Sequence, residues 1–219
     1  MRKIWAMAGL FVVLLNACGG EANTKTSRRL RGLVRTPLLN VRHVQLPEAT
    51  VGDERSVFPM HARSDGLLIM YFGYTHCPDI CPTSLAALRR AYIEIDSASS
   101  RIDTAMVTVD PERDTGEVLT TYLQNFFEEN YHALRTTDTA ALERAETPFL
   151  AKSSVTPGAL TESHDHVMTR GEPVVEHTGT TYAVDDKGRV VVEWPFGTEA
   201  KAIAHDLRIL LDVDAGKSS

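Results

Sequence analysis

Gly66-Leu67-Leu68-Ile69-Met70-Tyr71-Phe72-Gly73-Tyr74-Thr75-His76-Cys77-Pro78-Asp79-Ile80-Cys81-Pro82 is the stretch whose reading decides the fold. Gly66 to Phe72 is a short apolar run of the kind that forms a strand buried on both faces. Pro82 opens a helical pattern in which Leu85, Leu88, Tyr92 and Ile95 recur at steps of three, four and three and share one face. Proline suits the first helical turn, where its missing N–H leaves no bond unmade. Cys77 and Cys81 therefore sit between a buried strand and a helix start. Backbone N–H groups and the helix dipole favour negative charge there, which lowers a thiol pKa and favours thiolate.

Working outward, Thr104 to Val109 reads as a second strand. Asp114-Thr115-Gly116-Glu117 reads as a capping box with Asp114 as N-cap, opening a helix to about Phe127. Tyr131 to Leu134 is a short strand and residues 138–151 a third helix. Residues 152–174 lack a clear period and read as a long loop, a feature usually tied to function or disorder. A hairpin follows: His177 to Val184, the turn Asp185-Asp186-Lys187-Gly188, then Arg189 to Trp194. A last helix puts Ile203, Leu207, Leu210 and Leu211 on one face. Met70 and Met106 fall in strand patterns and belong to the core. The order βαβαβαββα predicts a thioredoxin-like α/β domain, a central mixed β-sheet flanked by helices.

The chain has 219 residues, with 23 Lys+Arg against 29 Asp+Glu and 43% hydrophobic residues. Those values exclude a disordered tail, a collagen-like repeat and a multi-span membrane protein. A net charge of −6, without a basic cluster, speaks against a nucleic-acid partner. Arg2 and Lys3 precede the apolar run Ile4 to Leu15. That run is shorter than the roughly 20 residues that span a bilayer, and it fits a secretory signal. Leu15-Asn16-Ala17-Cys18 resembles a bacterial lipobox, with Cys18 as the lipidated residue. A plain signal peptide or a short uncleaved anchor is the alternative. The expected division is 1–17 signal peptide, 18–40 lipidated flexible tether, and 41–219 folded domain. The domain would be membrane-anchored outside the cytoplasm, in an oxidising compartment.

Three residues separate Cys77 from Cys81, one more than in thioredoxin-type oxidoreductases. The longer link can still close a disulfide, and it also lets two sulfurs face one ion. Asp79 suits a bound cation better than a second thiolate. A structural disulfide is the plain alternative. His177 is the candidate third ligand, and thiolate with imidazole suits Cu(I), Cu(II) or Zn(II). Three nameable protein ligands argue against a closed structural zinc site. His164-Asp165-His166-Val167-Met168 gathers further soft and imidazole donors into the long loop, either as an auxiliary site or as a solvated stretch. His76 should point away from Cys77. Asp110 and Glu112 follow a strand that should neighbour the cysteine strand, where they would shape the rim of the site or dock a partner.

Tyr71 to Pro82 closely resembles the signature of the Sco/SenC copper chaperones. Val109-Asp110-Pro111-Glu112-Arg113-Asp114-Thr115 resembles that family's second block, with Gly116 where proline is usual. Glu176-His177-Thr178 occupies the place of its metal-binding histidine, with Glu176 in place of aspartate. The likeness covers about residues 55–212. It implies a copper site made by Cys77, Cys81 and His177. It also implies delivery of copper to the CuA centre of cytochrome c oxidase, or preparation of that centre's thiols. The implied partners are the oxidase's copper-bearing subunit or another copper acceptor, and a thiol reductant protein. The competing reading is a thiol–disulfide oxidoreductase acting on extracytoplasmic cysteines, with Cys77 attacking and Cys81 resolving.

Overall fold

The computed structural model describes residues 29–50, 56–162 and 168–213. In chain order the strands are β1 (Gln45–Pro47), β2 (Val57–Pro59), β3 (Leu67–Gly73), β4 (Ile102–Thr108), β5 (Tyr131–Leu134), β6 (Ser153–Thr156), β7 (Leu160–Glu162), β8 (Met168–Arg170), β9 (Val174–His177), β10 (Thr180–Val184) and β11 (Val190–Pro195). The helices are α1 (Ile80–Ile95), α2 (Gly116–Gln124), α3 (Thr139–Glu146) and α4 (Ala200–Leu210).

Five strands form the central sheet in the order β11-β10-β3-β4-β5. β3, β4 and β5 run parallel, and β10 and β11 complete the sheet antiparallel. The sheet is mixed and flanked by helices, as the element order predicts. β3 is the middle strand, and every one of its residues is buried. That is why it reads as an unbroken apolar run rather than an alternating one. α1 packs its Leu85, Leu88 and Ile95 face inward, and α4 lies beside it. Met70 and Met106 are both fully buried.

Four expectations need correcting. The first turn of α2 is capped by Thr115, whose hydroxyl accepts from the Val118 N–H. Asp114 is instead a buried carboxylate whose bonds run back to the cysteine loop. α2 also ends at Gln124, short of Phe127. Residues 152–174 are not one irregular loop. β6 pairs with β9 and β7 with β8, all antiparallel, forming an arm that leaves the domain and returns. Its strands are short, and β6 is mostly exposed, so neither period 2 nor an apolar face marks them. His177 closes β9, and Thr178-Gly179 separates it from β10, so His177 to Val184 is not one strand. Residues ahead of 41 also touch the body of the domain. Leu33 exchanges backbone bonds with Glu193, and the buried Asp206 carboxylate accepts from the Arg31 and Gly32 N–H groups at 2.8 and 2.9 Å and from the Trp194 indole. Three such donors offset the cost of burying this carboxylate.

Among the described residues, no helix is long and apolar enough to cross a membrane.

Candidate metal centre

The centre is built on the switch from β3 to α1. β3 ends at Gly73, the chain turns through Tyr74 to Asp79, and α1 starts at Ile80. Cys81 thus lies in the first turn of the helix and Cys77 just ahead of it. The Cys81 N–H, free of helical bonding at this position, donates to Cys77 Sγ at 3.3 Å. Cys77 is nearly buried and Cys81 wholly so. Both are free thiols.

Gly73 makes room for the inner sulfur. A Cβ there would stand 2.9 Å from Cys81 Sγ and 2.7 Å from Tyr71 Cε1. Only a residue without a side chain lets the sulfur sit this close to the end of the central strand.

The loop after β4 braces the turn. Asp114 accepts from the Thr75 N–H at 3.0 Å, the Thr75 hydroxyl at 2.5 Å and the Thr108 hydroxyl at 2.6 Å. His76 stands half-exposed, its Nδ1 3.1 Å from the Thr75 hydroxyl, and takes no place in the cluster. Asp110 is buried and paired with Arg113. Arg113 in turn reaches Glu172 at 2.8 Å, where the chain returns from the arm toward β9.

His177 is delivered by the end of that arm. Thr178 N–H donates to the Lys152 carbonyl and Lys152 N–H to the Thr178 hydroxyl, both at 3.0 Å, which fixes the arm's base. The rings of Tyr71 and Tyr74 meet the imidazole edge-on at 6.1 and 5.6 Å. His177 Nδ1 lies 3.3 Å from the Thr178 carbonyl oxygen, which can only accept, and this contact assigns the proton to Nδ1. Nε2 then presents its lone pair 3.5 Å from Cys81 Sγ. The donor atoms of Cys77, Cys81 and His177 all lie within 4.8 Å of one another.

Burial pushes the Cys81 thiol up to about 12, against a lowering hydrogen bond from the Tyr74 backbone. Burial also lowers His177 below the ordinary imidazole value, outweighing backbone bonds to Thr178 and Phe72 that favour its charged form. At neutral pH the imidazole is therefore uncharged and Cys81 keeps its proton. Two soft sulfurs and a neutral imidazole, nearly dry and converging on one point, suit a thiophilic cation with room for a ligand from another molecule. The same two sulfurs can also join as a disulfide.

Sequence reasoning had named all three of these residues. It had not named the groups that orient them: Tyr71 and Tyr74, read only as strand and loop, the Thr178 carbonyl, and the Asp114 brace. Cys18, His164, Asp165, His166 and Val167 lie outside the described residues, and nothing is described of the Met168 side chain at the start of β8.

The SCO1/SenC family model matches residues 60–212. A SCO2-like protein of Rickettsia prowazekii is 31% identical over 144 residues, 63% of this chain and 62% of that protein. The chain spans under two thirds of the length of the curated relatives it matches. The solution structure of apo Sco1 from Thermus thermophilus superposes with a TM-score of 0.63 at 28% identity, covering 83% of this chain and 97% of that one. Bradyrhizobium japonicum ScoI with copper bound gives a TM-score of 0.57 at 25% identity, covering 75% and 95%. The chain belongs to the SCO1/SenC family, and its fold is the thioredoxin-like fold of these Sco proteins.

Proposed function

We propose that this SCO1/SenC domain is a copper carrier that works outside the cytoplasm. Cys77, Cys81 and His177 would hold one ion as cargo and release it to an acceptor, the CuA-bearing subunit of cytochrome c oxidase being the one the family resemblance implies. The observation that carries this reading is the convergence of two sulfurs and Nε2 within 4.8 Å. Nδ1 is already engaged with Thr178, so Nε2 is the only ring nitrogen left to donate. In this scheme Cys77 and Cys81 give up their protons as they bind, and His177 binds neutral. Cys77, the less buried sulfur, is where a ligand of the acceptor would enter. Cys18 would anchor the chain by lipid, and the intact mass of the mature protein tests that directly.

Copper titration of the folded domain, reduced and oxidised, tests the site. The reduced protein should bind one ion, and the oxidised protein none, because a disulfide has no thiolate to give. Stoichiometric binding by the oxidised form would overturn the assignment.

The second reading is thiol–disulfide exchange, favoured by the Cys81 N–H donating to Cys77 Sγ at the helix start. Cys77 thiolate would attack a partner disulfide and expel one partner thiolate, forming a mixed disulfide. Cys81 thiolate would then displace the second partner thiolate and leave Cys77–Cys81 oxidised by two electrons. A separate thiol reductant would have to restore the pair.

A further inference from the structure

Tyr71 lies on the fully buried central strand, where a phenylalanine would pack equally well. Its hydroxyl is buried and makes no hydrogen bond. It lies beside Cys81 Sγ and near Ser84, without bonding geometry to either. The edge of its ring shares the niche over Gly73 with that sulfur, and the ring makes a T-shaped contact with the His177 imidazole. An unmet buried donor costs about 1–3 kcal/mol in the state where it goes unpaired. Such a group calls for an explanation in another state of the protein.

The thiolate supplies one. A neutral Cys81 thiol is a weak acceptor. A thiolate is a strong acceptor, and a hydrogen bond to a charged group is about twice as strong as a neutral one. A phenol keeps its proton across the neutral range, so Tyr71 has one to donate. Tyr122 also has a buried, unbonded hydroxyl, but it acts on the sulfurs only through space.

We infer that Tyr71 is a positioning residue whose hydroxyl donates to Cys81 Sγ once that sulfur is a thiolate, drawing charge from it and so tuning its strength as a metal ligand. The inference rests on Cys81 being a ligand of the copper carrier, and it deepens that reading.

Tyr71→Phe removes only the oxygen, so the fold and its melting temperature should be kept. In the Cu(II)-loaded protein the undamped thiolate should become the stronger donor. The sulfur-to-copper charge-transfer band should move to lower energy, and the Cu(II)/Cu(I) potential should fall. Ser84→Ala, which removes the other group near the hydroxyl, should leave the band in place. If Tyr71→Phe leaves both band and potential at their wild-type values, Tyr71 only packs and the inference is wrong. It is equally wrong if Ser84→Ala alone shifts the band. Should the wild-type chain bind no copper, as Cu(I) or as Cu(II), the carrier reading fails by itself. The Tyr71 bond is then read without metal, from the alkylation rate of Cys81 in a Cys77→Ser background at one mildly alkaline pH. Loss of the donor should slow alkylation about tenfold, the worth of a bond to a charged group. Equal rates with Tyr71 and Phe at this position would overturn it.

Discussion

The two halves of the candidate metal centre are held in opposite ways. Cys77 and Cys81 stand at the end of β3, a strand buried along its whole length and flanked on both sides by partner strands. His177 comes from a two-stranded arm in which Val155 and Val174 are exposed, and among the described residues no other strand pairs with it. One half is part of the main core. The other is tied down from outside that core, by contacts that include the Lys152–Thr178 bonds, the Tyr71 and Tyr74 rings, and the Arg113–Glu172 pair. Regions with little buried apolar surface open locally at low cost, while core strands open only with the whole domain. Under the proposed carrier reading, a site made this way would keep its thiols in place while His177 comes and goes. A carrier that must release its cargo needs that asymmetry.

The largest effect should come from the rigid half. Cys77→Ser or Cys81→Ser leaves a single thiolate, and copper binding should fall below detection in a competition titration. If one serine variant kept near-native affinity, that sulfur would be no ligand and the comparison would lose its fixed side.

Proton release should come next in size. The Cys81 thiol, pushed up to about 12, is protonated throughout the neutral range. Binding must expel that proton, so affinity should rise with pH by about tenfold per unit for each proton released. His177 adds to the slope only below its lowered pKa, where the imidazole must also lose a proton. The curve should therefore be steepest in acid and flatten as pH passes upward through that value. Affinity that is flat between neutral and mildly acidic pH would show that Cys81 does not bind as thiolate.

The movable half is tested by His177→Ala. Losing it should weaken copper binding by about tenfold or more, as even loss of a supporting partner can do. Thiol exchange, which needs only an attacking and a resolving sulfur, should stay within a few-fold. The melting temperature should hold, because the arm lies outside the main core. Intact copper affinity with lost exchange would make His177 a modulator of a redox thiol instead.

This division also explains what could be read from the sequence. The strand, the cysteine pair and α1 form one continuous segment, so the scaffold shows in the spacing of Leu85, Leu88 and Ile95 and in the apolar run before it. His177 arrives from 96 residues beyond Cys81; its place between a long loop and a strand made it a candidate ligand, and a family motif resembled the residues around it. The arm's strands are three or four residues long and mostly polar, too short to carry a period. Asp114 looked like a helix cap because its neighbours fit that pattern. Its actual partners, Thr75 and Thr108, are set by the parallel pairing of β3 with β4, which no local pattern records. Tyr71 was invisible as a functional residue because a buried tyrosine and a buried phenylalanine leave the same trace in an apolar run.

The smallest effect should come from the exposed tie between the halves. Arg113 is held by the buried Asp110 and extends to Glu172, whose carboxylate is 88% exposed. A pair with one partner so open to water gains little, typically up to about 1 kcal/mol, and salt screens it. Glu172→Gln should therefore leave the melting temperature within about a degree or two. If the pair helps keep the arm's end over the dithiol, the variant should lower copper affinity about two- to threefold at low salt and less at high salt. The matching change in rate should fall on copper release rather than capture, because a looser arm frees Nε2 more often while the sulfurs stay where β3 and α1 hold them. Arg113→Lys should do more harm, since it disturbs the bond to Asp110 as well. An unchanged release rate in Glu172→Gln would mean that the arm's other contacts hold it without the ion pair. A loss as large as that of His177→Ala would mean that the arm is held chiefly by one surface ion pair, and the contrast between a rigid and a movable half would be sharper than its packing indicates.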